Sequence, residues 1–200
     1  SYRKVRNTLR FLLSNLGDFD AKRMRVSDVP PESIDGWALE AAATLQRTVR
    51  SAYERCDFRR AHVSMFDFCN ETLSAIYCVA VKDRLYCDRA DAPRRRLTQT
   101  VLHDIAEMLC RLLAPILPHT ADEAWRELHG NGACVHLETF SDVDMEADAR
   151  WPEVMAIRED VLKALEEAKT TGIEKPLDAG VVIPDPNGVL ASFEPELADL

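Results

Sequence analysis

Apolar residues return every three or four positions along most of this chain, and that period favours helices over any other element. Tyr2, Val5, Leu9, Leu12, Leu13 and Leu16 form one such stripe, ended by Gly17. A second helix is expected from Ile34 to about Cys56 on Trp37, Ala38, Ala41, Ala42, Leu45, Val49, Ala52 and Tyr53, with Ser33 or Asp35 placed to cap it. After a break near Asp57, a third, long helix follows Ala61, Met65, Phe68, Cys69, Leu73, Ile76, Tyr77 and Ala80 to about Asp83. Pro93 suits the first turn of a fourth, carried by Val101, Ile105, Met108, Leu109, Leu112 and Leu113 and stopped by Pro115 and Pro118. Thr120 and Glu123 have the spacing of a capping box, so a fifth helix is expected from Thr120 to the Gly130-Asn131-Gly132 stop.

The period weakens in the last third. Val135 to Phe140 alternates as a short strand would, and Asp142 to Arg150 reads as an acidic linker. Pro152 to Ala168 is expected to be a sixth helix burying Val154, Ile157, Val161, Leu162, Leu165 and Ala168. Leu177 to Ile183 is β-branched and predicts a strand opening a different unit. The expected architecture is all-α, a bundle of about five to six helices over residues 1–140. Residues 141–200 then supply a linker, a helix and the start of a C-terminal region with short α/β-like character. The core is expected to include Trp37, Phe68, Leu73, Leu109, Leu112 and Trp125.

A formal net charge of −9 and a pI near 5.1 exclude a globally basic nucleic-acid binder. The charge is unevenly distributed. Up to Arg25 the chain carries Arg3, Lys4, Arg6, Arg10, Lys22, Arg23 and Arg25 against Asp18 and Asp20, whereas acids dominate after Glu138. Arg3, Arg6, Asn7 and Arg10 lie together on a face of the first helix separate from its apolar stripe.

Reactive constellations are missing. There is no glycine-rich phosphate loop, no Gly-x-Ser-x-Gly elbow and no His-Glu-x-x-His pair. His62, His103, His119, His129 and His136 are dispersed, and the adjacent carboxylates Asp122-Glu123 and Glu166-Glu167 diverge by about 100° on a helix. None of the six cysteines forms a Cys-x-x-Cys pair; Cys69, Cys78 and Cys87 are spaced by nine, which on a continuous α-helix turns successive thiols to opposite sides. They read as small buried hydrophobes of a reducing, cytoplasmic compartment. No apolar run approaches the roughly 20 residues of a membrane span. On these grounds alone, a helical protein-interaction module without RNA binding fits as well as a nucleic-acid binder.

Three segments break that tie. Tyr2-Arg3-Lys4-Val5-Arg6-Asn7-Thr8-Leu9-Arg10-Phe11-Leu12-Leu13-Ser14-Asn15-Leu16 resembles the helix following the catalytic core of isoleucyl-tRNA synthetases, which are class I aminoacyl-tRNA synthetases. Phe68-Cys69-Asn70-Glu71-Thr72-Leu73-Ser74-Ala75-Ile76-Tyr77, followed by Lys82-Asp83-Arg84-Leu85-Tyr86, is similar to a pairing characteristic of the isoleucine enzymes. Leu113-Ala114-Pro115-Ile116-Leu117-Pro118-His119-Thr120-Ala121-Asp122-Glu123-Ala124-Trp125 has relatives in the valine and leucine enzymes too. Trp151 to Ala168 resembles the segment leading into their C-terminal region, and the likeness fades after Gly172, at Ile173-Glu174-Lys175-Pro176.

The resemblance implies an anticodon-binding domain, a piece of a longer ligase that joins isoleucine to its tRNA with ATP and magnesium. The activation motifs and editing domain would precede Ser1, and a zinc module of many members would follow Leu200. The fragment itself would hold no cofactor or metal and no catalytic residue. Its implied partners are the isoleucine tRNA and the catalytic core of the same parent chain, with no membrane. Recognition would place cations on phosphates and polar or planar side chains on unpaired bases. Arg3, Arg6, Asn7 and Arg10 are the first candidate surface. Arg94, Arg95 and Arg96 are a second, in a first helical turn where their charge opposes the dipole, unless Asp88 and Asp91 simply balance them. Lys82 and Arg84 are a third.

Overall fold

The computed structural model describes residues 2–170, 179–185 and 187–200, which divide into two compact units: residues 1–147 with Asp199, and residues 148–198 with Leu200. The first unit holds α1 (Tyr2–Ser14), α2 (Ile34–Glu54), α3 (Phe58–Asp67), a π-helical segment (Phe68–Tyr77), α4 (Cys78–Ala80), α5 (Lys82–Tyr86), α6 (Pro93–Leu113), α7 (Pro118–His129) and a 3-10 turn (Val135–Leu137). The second holds α8 (Trp151–Thr170), a 3-10 turn (Leu190–Phe193) and α9 (Glu194–Leu197). The described residues contain no strand.

The first unit is organised around α6. Val101, Leu102, Ile105, Ala106, Met108, Leu109, Leu112 and Leu113 are all buried on one broad face of α6, with Asp104, Glu107 and Arg111 on the opposite side. Against it and its neighbours α1 sets Val5, Leu9 and Leu12, α2 sets Ile34, Ala38, Ala42, Leu45 and Val49, and the π segment sets Phe68, Leu73 and Tyr77. Each Val, Leu, Ile or Phe side chain so withdrawn from water contributes about 1.5–3 kcal/mol. Of the expected core, Phe68, Leu73, Leu109, Leu112 and Trp125 are buried, whereas Trp37 is only half-buried. Tyr2, expected on the apolar stripe, is 46% exposed at the start of α1, its hydroxyl 3.2 Å from that of Thr120.

Local chemistry sets the boundaries. Ser33 caps α2, its Oγ accepting from the Gly36 N–H at 3.0 Å. Ala92 is extended before Pro93, as a residue preceding proline must be, and the proline opens α6. The capping box expected at Thr120 and Glu123 does not form. α7 starts two residues earlier, at Pro118, and both side chains turn to α1 instead.

The expected long third helix runs without a break through α3, the π segment and α4, changing pitch over Phe68–Tyr77, and ends at Val81 before α5. Within the π segment the Ser74 hydroxyl donates to the Cys69 carbonyl at 2.7 Å, and Thr8 of α1 lies beside both. A π-helix spans roughly 4–5 residues per turn, so nine residues make about two turns. This is why Cys69 and Cys78 both point into the core rather than to opposite sides, while Cys87 lies beyond α5, exposed.

Val135 to Phe140 forms the 3-10 turn and an irregular stretch instead of a strand; Val135 is buried, and its N–H reaches Asp122 at 3.3 Å. In the second unit only Trp151 and Val154 of α8 are deeply buried, with Trp151 edge-on to Phe193 at 4.9 Å. Leu162, expected inside, is 46% exposed. The strand expected over 177–183 falls partly outside the described residues, and Ala179 to Ile183 is irregular.

Candidate nucleic-acid interface

The α1 face assembles as its spacing requires. Val5, Leu9 and Leu12 bury one side, which leaves Arg3, Arg6, Asn7 and Arg10 exposed on another. Arg6 is held. Its guanidinium forks onto Glu123 of α7, with Nη1 to Oε2 at 2.8 Å and Nη2 to Oε1 at 3.0 Å. That pairing raises the Arg6 pKa further and pulls the Glu123 carboxyl below its usual value. Arg3, Asn7 and Arg10 have no ion pair or hydrogen bond from their side chains among the described residues. Between α1 and α7 lies an open cleft of about 460 Å³, lined by Arg6, Leu9, Arg10, Thr120, Glu123 and Glu127 among others.

The second candidate group is differently placed. Arg94 forks onto Asp88, with Nε and Nη2 each at 3.0 Å. Arg95 reaches Asp18 at 2.6 Å and the Leu85 carbonyl at 3.2 Å, and Arg96 reaches the Asp18 carbonyl at 2.9 Å and Gln99 at 2.6 Å. Asp18 is therefore lowered to about 2, first by Arg95 against the opposing effect of its partial burial, then by Gln99 and Arg96. Arg95 and Arg96 stitch the loop after α1 to the start of α6, Arg94 ties α6 to the segment before it, and the carboxylates offset the charge that opposes the helix dipole.

In the third group the two residues separate. Lys82 is exposed and unpaired among the described residues. Arg84 departs from the surface position expected of it: it is 1% exposed, and its Nη1 donates to Asp35 at 2.8 Å. Asp35, expected as a possible cap, is fully buried and also accepts from Tyr77 at 2.6 Å and Thr98 at 3.2 Å.

One group of exposed cations escaped the sequence reading. Arg55, Arg59 and Arg60 surround the α2–α3 corner, where Phe58 is 53% exposed. The signal was present as three arginines within six residues at an expected helix break, but Glu54 and Asp57 nearly cancel it in any running charge sum.

No group of three or more His, Cys, Asp or Glu side chains among the described residues is arranged to hold a metal ion, and no described helix is long and apolar enough to cross a membrane. Among the described residues, Arg3 and Arg10 on α1 and Arg55, Arg59 and Arg60 at the α2–α3 corner are the arginines of these groups without a partner, a chemistry that suits an anionic ligand. Comparison with known proteins makes the class specific. Residues 35–183 match the family model described as the anticodon-binding domain of tRNA ligase, and the chain belongs to that family. It is 41% identical over 201 residues to an isoleucine–tRNA ligase of Desulfitobacterium hafniense, covering 96% of this chain and 22% of that protein. A Brachyspira hyodysenteriae isoleucine–tRNA ligase is 37% identical over 213 residues, covering 100% of this chain and 23% of the relative. One from Bordetella parapertussis is 41% identical over 186 residues, covering 86% and 20%. The chain thus spans about a fifth of the length of these relatives.

Proposed function

We propose that this chain holds the anticodon stem-loop of an isoleucine tRNA, as the recognition domain of a ligase that joins isoleucine to that tRNA with ATP. The observation that carries the reading is the face of α1. Arg3 and Arg10 stand exposed and unpaired among the described residues, Asn7 offers an amide beside them, and Arg6 is fixed at the mouth of a cleft by Glu123. Phosphates neutralised along this row position the stem-loop, and Asn7 can reach a base edge. Lys82 extends the cationic surface; Arg84 and the Arg94–Arg96 group act by holding α5 and α6 in place.

In this reading residues 1–140 bind the RNA, and residues 141–200 serve as linker, helix and start of a following region. The partners are the tRNA and the catalytic core of the same parent chain. ATP and magnesium serve the activation of isoleucine, for which these residues carry no motif. A cytoplasmic setting is supported by six free cysteines, of which Cys69, Cys78 and Cys110 are buried with thiols pushed up to about 12 by that burial.

Filter binding of an isoleucine tRNA transcript across a salt series tests the reading. A steep loss of affinity with salt supports it. Affinity no greater than for an acidic protein surface supports a protein-interaction module instead.

A further inference from the structure

The α2–α3 corner is built in an unusual way. Residues 54–60 are exposed without interruption, and Cys56 turns the chain at a φ of 55°, which throws Phe58 outward at the start of α3. Asp57 turns inward to cap the helix, its carboxylate accepting the Arg60 N–H at 3.0 Å. Arg55, Arg59 and Arg60 have neither ion pair nor side-chain hydrogen bond among the described residues. In a chain of net charge −9, three neighbouring free guanidinium groups are a local exception.

Phe58 is not merely exposed; it is propped. Tyr53 packs against its ring at 5.9 Å, and Tyr53 is in turn fixed by donating to the Leu112 carbonyl at 2.6 Å and by stacking on Phe140 at 6.2 Å. Burial lifts the Tyr53 phenol to about 12, so this prop stays neutral. A ring held from behind and open in front loses little freedom when a flat partner covers it. Just past the corner, His62 of α3 lines one small cleft with Tyr2 at the start of α1.

We propose that this corner is a second RNA contact, in which Phe58 stacks on one unpaired base while Arg55, Arg59 and Arg60 take the phosphates flanking it. An aromatic face accepts any base, and free arginines beside it supply the charge that single-stranded RNA requires. An apolar protein partner would gain from Phe58 but would have to desolvate three unpaired arginines. The proposal rests on the tRNA reading above and extends it from phosphate positioning to base contact.

The test uses the full-length chain with an isoleucine tRNA transcript. Phe58→Ala is expected to weaken binding about 5- to 100-fold with an unchanged salt slope, since a stacked ring releases no counterions. Arg59→Ala and Arg60→Ala are expected to lower the slope by about 0.7 each. Phe58→Trp should retain affinity, and its fluorescence should be quenched by RNA beyond any change in the three native tryptophans. If Phe58→Ala unfolds the chain, the quenching of the tryptophan variant decides. Wild-type affinity in all corner variants, alongside loss in Arg10→Ala, overturns this contact and leaves the function standing. Failure of the wild type to bind tRNA overturns both. Altered oligomeric state in Phe58→Ala with intact RNA binding makes the corner a protein interface and overturns the proposal.

Discussion

Asp35 and Arg84 meet at 2.8 Å with 0% and 1% of their side chains exposed, an ion pair from the first turn of α2 to the middle of α5. Tyr77 and Thr98 donate to the same carboxylate, so α2, the π segment, α5 and α6 converge on one buried charge. Such a pair adds little over a well-packed apolar alternative, but breaking one half strands the other. Arg84→Ala should therefore destabilise the chain by about 3–5 kcal/mol in urea unfolding, with Asp35 left inside without its cation. A loss under 1 kcal/mol would show that α5 swings away and admits water to Asp35.

Gly36, beside Asp35, is constrained by space. A Cβ there would lie 2.5 Å from the Pro30 carbonyl oxygen, 3.3 Å from Pro31 Cα and 3.1 Å from Met145 Cε. The methionine can move; the backbone cannot without unseating the Ser33 cap. Alanine gains up to about 1 kcal/mol of helix propensity, whereas overpacking against fixed atoms costs about 1–3 kcal/mol. Gly36→Ala should lower the thermal midpoint, and a raised midpoint would show that the loop before α2 yields freely.

These two sites explain how far the sequence could be read. The helices α1, α2 and α6 follow from apolar period and from Pro93, because each packs one continuous stripe. The burial of Arg84 has no local signal: its partner lies 49 residues away, and nothing in Lys82-Asp83-Arg84-Leu85-Tyr86 separates the exposed lysine from the enclosed arginine. The π segment is hidden because an apolar pattern tested against 3.6 residues per turn tolerates a local change of pitch. Thr120 and Glu123 matched a capping box, yet Pro118 opens the helix first, and Tyr2 and Arg6 compete for their oxygens.

The α6–α7 seam should respond to acid. His129 lies 2.9 Å from Glu107 and packs tilted against Trp125 at 4.1 Å, with His103, Arg111 and Glu138 also bearing on it. Burial lowers its pKa first, Glu107 opposes this, and His103 and Arg111 add to the lowering. The unfolded chain then takes up the proton at a higher pH than the folded one. This contribution is complete above the ordinary histidine value near 6.5 and is lost as pH falls below it. The urea midpoint should drop between pH 7.5 and 5.5, and the drop should shrink in His129→Gln. An equal drop in both chains would place the acid sensitivity elsewhere.

The α1 face offers a prediction with two opposite signs. Arg10 is unpaired among the described residues, so Arg10→Ala should weaken tRNA binding and lower the salt slope by about 0.7–0.9, with little change in discrimination among anticodons. Arg6 differs because Glu123 already neutralises it across an exposed pair that adds little to stability. A phosphate approaching Arg6 must compete with that carboxylate. Glu123→Gln should therefore leave the unfolding midpoint at its wild-type value while tightening tRNA binding. Salt should erase the gain, because the removed charge is solvent-exposed and screened. If Glu123→Gln instead weakens binding, Glu123 serves to aim Arg6 at its phosphate, and Arg6→Ala in that background should then cost nothing further.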